Sequence, residues 1–182
     1  MKKYDTIFLD RDGTLNLDTG YINSLNNFKF FDYTLKSLVN LKKVTNQFCI
    51  ITNQSGVARG LIKIDQLISI HNFILNKFFE NKLNLLGIYY CTDHPDNASI
   101  NRKPGIGLFE QAAKDHKINL KKSLMIGDSA CDIEAAINCK MDNILVLTGN
   151  GSKTKKTLNK KPMYISKNLL SASNFLINRW WR

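Results

Sequence analysis

The chain has 182 residues, 43% of them hydrophobic and 10% aromatic, and a formal net charge of +11. Such a length and composition fit one globular domain with a sizeable core, exclude a disordered chain, and leave no stretch near the roughly 18 to 20 apolar residues that cross a bilayer. The charge invites a nucleic-acid partner, but only Lys153 to Lys161 clusters tightly and no aromatic–basic motif accompanies it, so nucleic acid is not an expected partner.

Met1-Lys2-Lys3-Tyr4-Asp5 leads directly into an apolar strand over 5–10 with no signal-peptide pattern, and a cytoplasmic location is expected. The strand stops in Asp10-Arg11-Asp12-Gly13-Thr14. Alternation along an extended chain turns Asp10 and Asp12 to one side and Arg11 away. Two carboxylates held that close repel unless a cation lies between them, and oxygen-only ligation suits Mg²⁺. Gly13 lets the chain turn sharply. A calcium loop of the EF-hand kind would need a closing Glu where Tyr21 stands. The junction favours phosphoryl transfer through a carboxylate nucleophile.

A helix follows over 33–45, then a strand over 47–52 whose Cys49-Ile50-Ile51 runs into Thr52-Asn53-Gln54-Ser55-Gly56. The hydroxyl and amides there can donate to phosphate oxygens, or form an ordinary turn or helix cap. Leu67, Ile70, Ile74, Leu75 and Phe78 recur with helical spacing in a helix over 64–81. A strand over 86–91 precedes Arg102-Lys103-Pro104-Gly105, where Lys103 can neutralise charge on a transferring group, and a helix over 105–117 begins behind the proline. The next strand, 123–127, delivers Asp128, a third carboxylate. Asp132, on the first turn of a helix over 130–139, either supports it or is an acid favoured by the helix dipole. A strand over 143–147, a Gly/Lys/Thr-rich segment over 149–161 read as loose and mobile, a short strand over 163–165 and a helix over 167–178 complete the chain. The terminal Trp180-Trp181 pair is expected at a core edge or a subunit contact.

This alternation gives the expected fold: an α/β, doubly wound, mostly parallel Rossmann-like sheet flanked by helices. One domain spans 1–182, with a catalytic part over about 4–148. No large cap domain is expected, because 13–33 and 87–103 are too short to fold alone. Cys49, Cys91, Cys131 and Cys139 form no CxxC pair and read as reduced structural thiols.

Asp-x-Asp-Gly-Thr, Thr-Asn and Gly-Asp at three strand ends, with a lysine between the last two, resemble the haloacid dehalogenase superfamily of phosphohydrolases. The resemblance implies that Asp10 attacks phosphorus to form an aspartyl-phosphate, while Asp12 protonates the leaving oxygen and then deprotonates water. It implies that Thr52 and Lys103 hold the phosphoryl oxygens. Mg²⁺ would sit on Asp10, the Asp12 backbone carbonyl and Asp128. An acid at position 12 argues for a hydrolase over the pumps and dehalogenases similar to this superfamily.

Over roughly 4–148, Asp18-Thr19-Gly20-Tyr21, Thr52 through Gly60, Tyr89-Tyr90-Cys91 and Arg102-Lys103-Pro104 are similar to the heptose 1,7-bisphosphate 7-phosphatase family. Histidinol-phosphatases share the Asp-x-Asp and Arg-Lys-Pro segments but differ after Thr-Asn-Gln. The closer resemblance implies a small phosphorylated sugar as substrate and removal of its C7 phosphate in making nucleotide-activated heptose. Asp18, Thr19, Gly20, Tyr21, Asn53, Gln54 and Ser55 would line the pocket, and Arg102 would meet the second phosphate. Two departures stand out. Asp93, Ser99 and Asn101 replace ligands of a structural zinc that the family commonly carries, leaving Cys91 with His94 nearby, so no structural zinc is expected. Ser129 stands where many relatives have a substrate-contacting lysine. The competing readings are a histidinol-phosphatase or broader small-molecule phosphatase, a nucleic-acid end-phosphatase, and a non-catalytic binding module. An open-site enzyme of this size is expected to work as a monomer.

Overall fold

The computed structural model describes residues 3–180. Among them six strands alternate with helices: β1 (Ile7–Leu9), α1 (Thr34–Leu41), β2 (Phe48–Asn53), α2 (Ile64–Glu80), β3 (Leu85–Cys91), α3 (Gly107–His116), β4 (Leu124–Gly127), α4 (Ala130–Asn138), β5 (Asp142–Val146), α5 (Gly151–Thr157), β6 (Tyr164–Ser166) and α6 (Leu169–Trp180). All strand pairs are parallel, in the order β3-β2-β1-β4-β5-β6. The expected doubly wound sheet is therefore present, and its order reverses at β1.

Strand alternation divides the core in two. Ile7, Leu9, Ile50, Ile126 and Ile144 face one cluster with Leu38 and Leu41 of α1, Ile70, Ile74 and Phe78 of α2, and Leu176 of α6. Phe8, Cys49, Ile51 and Met125 face the other, against Phe109 and Ala112 of α3 and Ala135 and Ala136 of α4. Each central strand is buried on both faces, which is why the runs read as nearly continuous apolar segments. At about 25 cal/mol per Å² of apolar surface, this two-sided burial is the main force holding the strand ends in register.

Several boundaries differ from the sequence reading. The first strand is Ile7–Leu9, so Asp10 lies just beyond it. The first helix ends at Leu41, because the next residues turn to bring Val44 under Tyr4. In α2 the buried stripe is Leu67, Ile70, His71, Ile74 and Phe78, while Leu75 is 38% exposed. The largest difference is α5. Gly151–Thr157 is helical where a loose segment was expected, held by its Thr154 N–H bonding to the Asn150 carbonyl and by burial of Gly151 and Thr154. Between β1 and α1 the regular features among the described residues are one short 3-10 turn and isolated bridges. The four cysteines are free thiols. Trp181, and with it the expected tryptophan pair, lies outside the described residues. No helix among the described residues is long and apolar enough to cross a membrane.

Candidate active site

Where the strand order reverses, the loops leaving β1 and β4 run to opposite sides and open a crevice at the strands' carboxyl ends. Asp10 emerges there from β1 and Asp128 from β4, whose strands pair directly. With Asp132 from the first turn of α4, their carboxylates bring oxygens within 4.8 Å of one another, all three buried. Burial raises the Asp10 carboxyl well above the ordinary range, with Lys103 opposing and Asp132 and Asp128 adding to the rise. Burial and the Asp132 charge push Asp128 up to about 7, although the Asn150 N–H opposes this. Crowded carboxylates with an all-oxygen donor set suit a hard divalent cation of the Mg²⁺ class.

Lys103 is the cation already in place. Its Nζ lies 2.7 Å from an Asp10 oxygen and 2.7 Å from an Asp132 oxygen, and donates to the Ile51 carbonyl at 2.6 Å. Burial alone would lower its pKa, but Asp10 and Asp132 outweigh that and raise it, so the ammonium stays charged. Asp132 also accepts from the Ser129 N–H at 3.0 Å in a capping box. Asp132 thus lies both on the first turn of α4 and beside the acidic cluster.

Two glycines make room for Asp128. Gly13 (φ +79°) and Gly149 (φ +52°) have left-handed backbones, and a Cβ on either would collide with its carboxylate. The adjacent Asn150 N–H donates to Asp128 at 2.6 Å, and Thr148 Oγ1 donates to the Gly13 carbonyl at 2.6 Å. The start of α5 is thereby fastened to the Asp10–Gly13 turn.

Asp12 has different company. Arg11 was expected to point away, yet its side chain curls back and is only 1% exposed. Its Nε donates to both Asp12 oxygens at 3.0 and 3.1 Å, and its Nη2 to Oδ2 at 2.7 Å. Alternation fixes only the Cα–Cβ direction, and a long arginine can reverse it. Gln54 Nε2 donates to Asp12 Oδ2 at 2.8 Å and to Thr52 Oγ1 at 2.9 Å, while Asn16 Nδ2 donates to Asp12 Oδ1 at 2.9 Å. Because Thr52 oxygen accepts from Gln54, the Thr52 hydroxyl proton remains for another acceptor.

The crevice, about 280 Å³, is lined by Asp10, Asp12, Asp18, Gly20, Tyr21, Thr52, Asn53, Gln54, Ser55, Arg102, Lys103 and Asp128. Thr19 is exposed and does not line it: Asp18 Oδ1 accepts from the Gly20 N–H at 2.9 Å in a tight turn. The amides of Asn53 and Gln54, expected to face phosphate, already donate within the protein. Asn53 is tied at both ends to the Lys103 backbone, at 3.1 and 3.0 Å, and so fixes the Lys103 loop to the end of β2. Ile62, Cys131 and Asn150 also line the crevice. Sequence reasoning missed them, and the Asn150 contact is made by a backbone group that side-chain identity does not reveal. Ser129 is on the wall as well. In the 91–103 loop, Asp93 accepts from the Ser99 N–H at 2.8 Å, Ser99 Oγ from the Asn101 N–H at 3.2 Å, and Arg102 Nη1 donates to the Asp93 carbonyl at 3.3 Å.

Residues 100–172 match the HAD-hydrolase-like family. The chain is 41% identical over 150 residues to the D-glycero-beta-D-manno-heptose-1,7-bisphosphate 7-phosphatase of Haemophilus influenzae, covering 79% of this chain and 82% of that one. It is 37% identical to the enzyme of the same name from Helicobacter pylori strain 26695, covering 85% and 90%. A solved structure, the D,D-heptose 1,7-bisphosphate phosphatase from B. bronchiseptica complexed with magnesium and phosphate, superposes with a TM-score of 0.87 at 28% identity, covering 96% of this chain and 99% of that one.

Proposed function

Because the chain belongs to the D-glycero-beta-D-manno-heptose-1,7-bisphosphate 7-phosphatase family, we propose that it is a Mg²⁺-dependent phosphohydrolase that removes the C7 phosphate of that sugar bisphosphate. The observation that carries this reading is the grouping of Asp10, Lys103, Asp128 and Asp132 at the reversal point of the sheet, with Asp12 beside it.

Phosphoryl transfer asks mainly for positioning and for neutralisation of charge on the equatorial oxygens. An Asp10 oxygen attacks phosphorus, the bond to the sugar oxygen breaks, and an aspartyl-phosphate forms. Asp12 gives the leaving oxygen its proton, then takes one from the water that hydrolyses the acyl phosphate and frees Asp10. Lys103, pinned by Asp132 and the Ile51 carbonyl, holds a phosphoryl oxygen, and the spare Thr52 proton meets another. Asp10, the Asp12 carbonyl and Asp128 would hold Mg²⁺, which when bound offsets the negative charge gathered around the phosphoryl group.

Arg102 is suited to the second phosphate, with Asp18, Gly20, Tyr21 and Ser55 completing the wall. The 91–103 loop works without zinc in this reading: the Asp93–Ser99 and Arg102–Asp93 hydrogen bonds supply the support that thiolate ligands would give. The product feeds the making of nucleotide-activated heptose. The open crevice asks for no second copy, which supports a monomeric enzyme.

Phosphate release with Mg²⁺ from both anomers of the heptose 1,7-bisphosphate, beside histidinol phosphate, tests the assignment. Selective turnover of one bisphosphate anomer is expected. Asp10→Asn should cut it by at least about 10³-fold, as loss of a nucleophile does. Turnover of histidinol phosphate alone would move the substrate assignment, and full activity of Asp10→Asn would end the aspartyl-phosphate mechanism.

A further inference from the structure

The Asp12 carboxylate belongs to a closed network that reaches α2. The Arg11 guanidinium has only donors to offer, and each of its three nitrogens is committed. Nε and Nη2 grip Asp12, Nη2 also donates to Gln54 Oε1 at 3.0 Å, and Nη1 lies 3.3 Å from His71 Nε2. His71 Nε2 must then accept, so the ring is the neutral tautomer with its proton on Nδ1. Burial and then the Arg11 cation agree, pushing His71 down to about 3. The ring is 6% exposed and leans on Tyr90, with centroids 5.1 Å apart. Gln54 closes the circuit by donating to both Asp12 and Thr52.

We propose that His71 and Arg11 are positioning residues for proton transfer, the helix α2 imidazole orienting the guanidinium that in turn aims the Asp12 carboxylate. Neither lines the crevice. A buried guanidinium held at one carboxylate alone could swivel about that contact, whereas a third fixed acceptor removes the freedom. The inference rests on Asp12 acting as acid and base in the proposed mechanism.

That dependence supplies the test. p-Nitrophenolate leaves with its electron pair and needs no proton, whereas a sugar alkoxide does. Forming the aspartyl-phosphate from p-nitrophenyl phosphate therefore does not use Asp12, but attack by water in the second half-reaction does. Rapid-mixing traces with p-nitrophenyl phosphate and steady-state rates on the heptose bisphosphate would be compared for the wild type, Asp12→Asn, Arg11→Lys, His71→Leu and His71→Gln. Asp12→Asn should give a burst near one equivalent at an almost normal rate and then stall. His71→Leu should keep the burst rate within about threefold while sugar-phosphate turnover falls ~10–100-fold with KM little changed, the range found when an outer-shell partner is lost. Arg11→Lys should fall at least as far, because an ammonium cannot span three acceptors. His71→Gln, which restores an acceptor near the Nε2 position, should recover most of the loss.

Equal loss of burst and turnover in His71→Leu, no recovery in His71→Gln, or faster sugar-phosphate turnover in either would overturn the positioning role. If Asp12→Asn itself did not separate the two half-reactions, the acid–base role of Asp12 would fall and the inference with it. A wild type active on p-nitrophenyl phosphate but inert to the bisphosphate would instead remove only the sugar assignment, and the burst-versus-stall comparison would still decide the role of His71.

Discussion

Lys103 shows how much one side chain can hold together. It is 3% exposed and neutralises Asp10 and Asp132 at once, so removing it leaves two buried carboxylates facing each other. Breaking a buried ion pair from one side costs about 3–5 kcal/mol. Urea unfolding of Lys103→Met without metal should show a loss of that order, partly recovered by Mg²⁺. An unchanged midpoint would mean the carboxylates find water instead. His71 makes a prediction of the opposite charge type. Its folded-state value, about 3, lies below the ordinary imidazole value of 6.5. The unfolded chain therefore binds the extra proton first, so this contribution to stability is full above pH 6.5 and is lost as pH falls towards 3. The urea midpoint of the wild type should fall more steeply through that window than that of His71→Gln. Parallel curves would contradict the buried neutral ring. The identity of position 71 was visible in the sequence, but not its role: one histidine in an apolar stripe looks like any other core residue.

At the scale of elements, the strands and most helices were legible because two-sided burial writes a continuous apolar signal. Phe48 through Ile51 and Leu124 through Ile126 are fully buried, and their ends deliver the chemistry. Asp10 and Asp128 could be placed at strand ends for the same reason, whereas their grouping with Asp12 and Lys103 was only what the family resemblance implied. What stayed hidden lacks periodicity or a side-chain identity. Helix α5 reads Gly-Ser-Lys-Thr-Lys-Lys-Thr with no apolar face, and its contribution to the site is the backbone N–H of Asn150 just before it. The same segment carries a sharp prediction. Gly149→Ala or Gly13→Ala would force a Cβ into the Asp128 carboxylate while straining a left-handed backbone, a conformation costing about 1–2 kcal/mol outside glycine. Either variant should lower the melting temperature and weaken Mg²⁺ binding in a calorimetric titration. A variant with normal affinity would show that Asp128 can move aside without cost.

For the whole molecule, charge and topology matter more than any contact. A net charge of +11 surrounds a crevice whose own floor is acidic, so the long-range field attracts anions that local carboxylates repel. With a bisphosphate substrate, kcat/KM should fall as ionic strength rises while kcat holds steady, since screening acts on encounter. A flat response would assign the lysines to solubility alone. The sheet order has another result, one of timing during synthesis. β1 is made first yet pairs with β4, Ile7 against Leu124, and the turn after Asp10 is fastened by Thr148 while Asp128 is fastened by Asn150. A nascent chain carries Asp10 long before Asp128, Thr148 and Asn150, so the crevice around that carboxylate cannot close until their stretch has left the ribosome. Every shorter fragment holds the Asp10 carboxylate without the groups that enclose it, and the two halves of the crevice meet only late in synthesis.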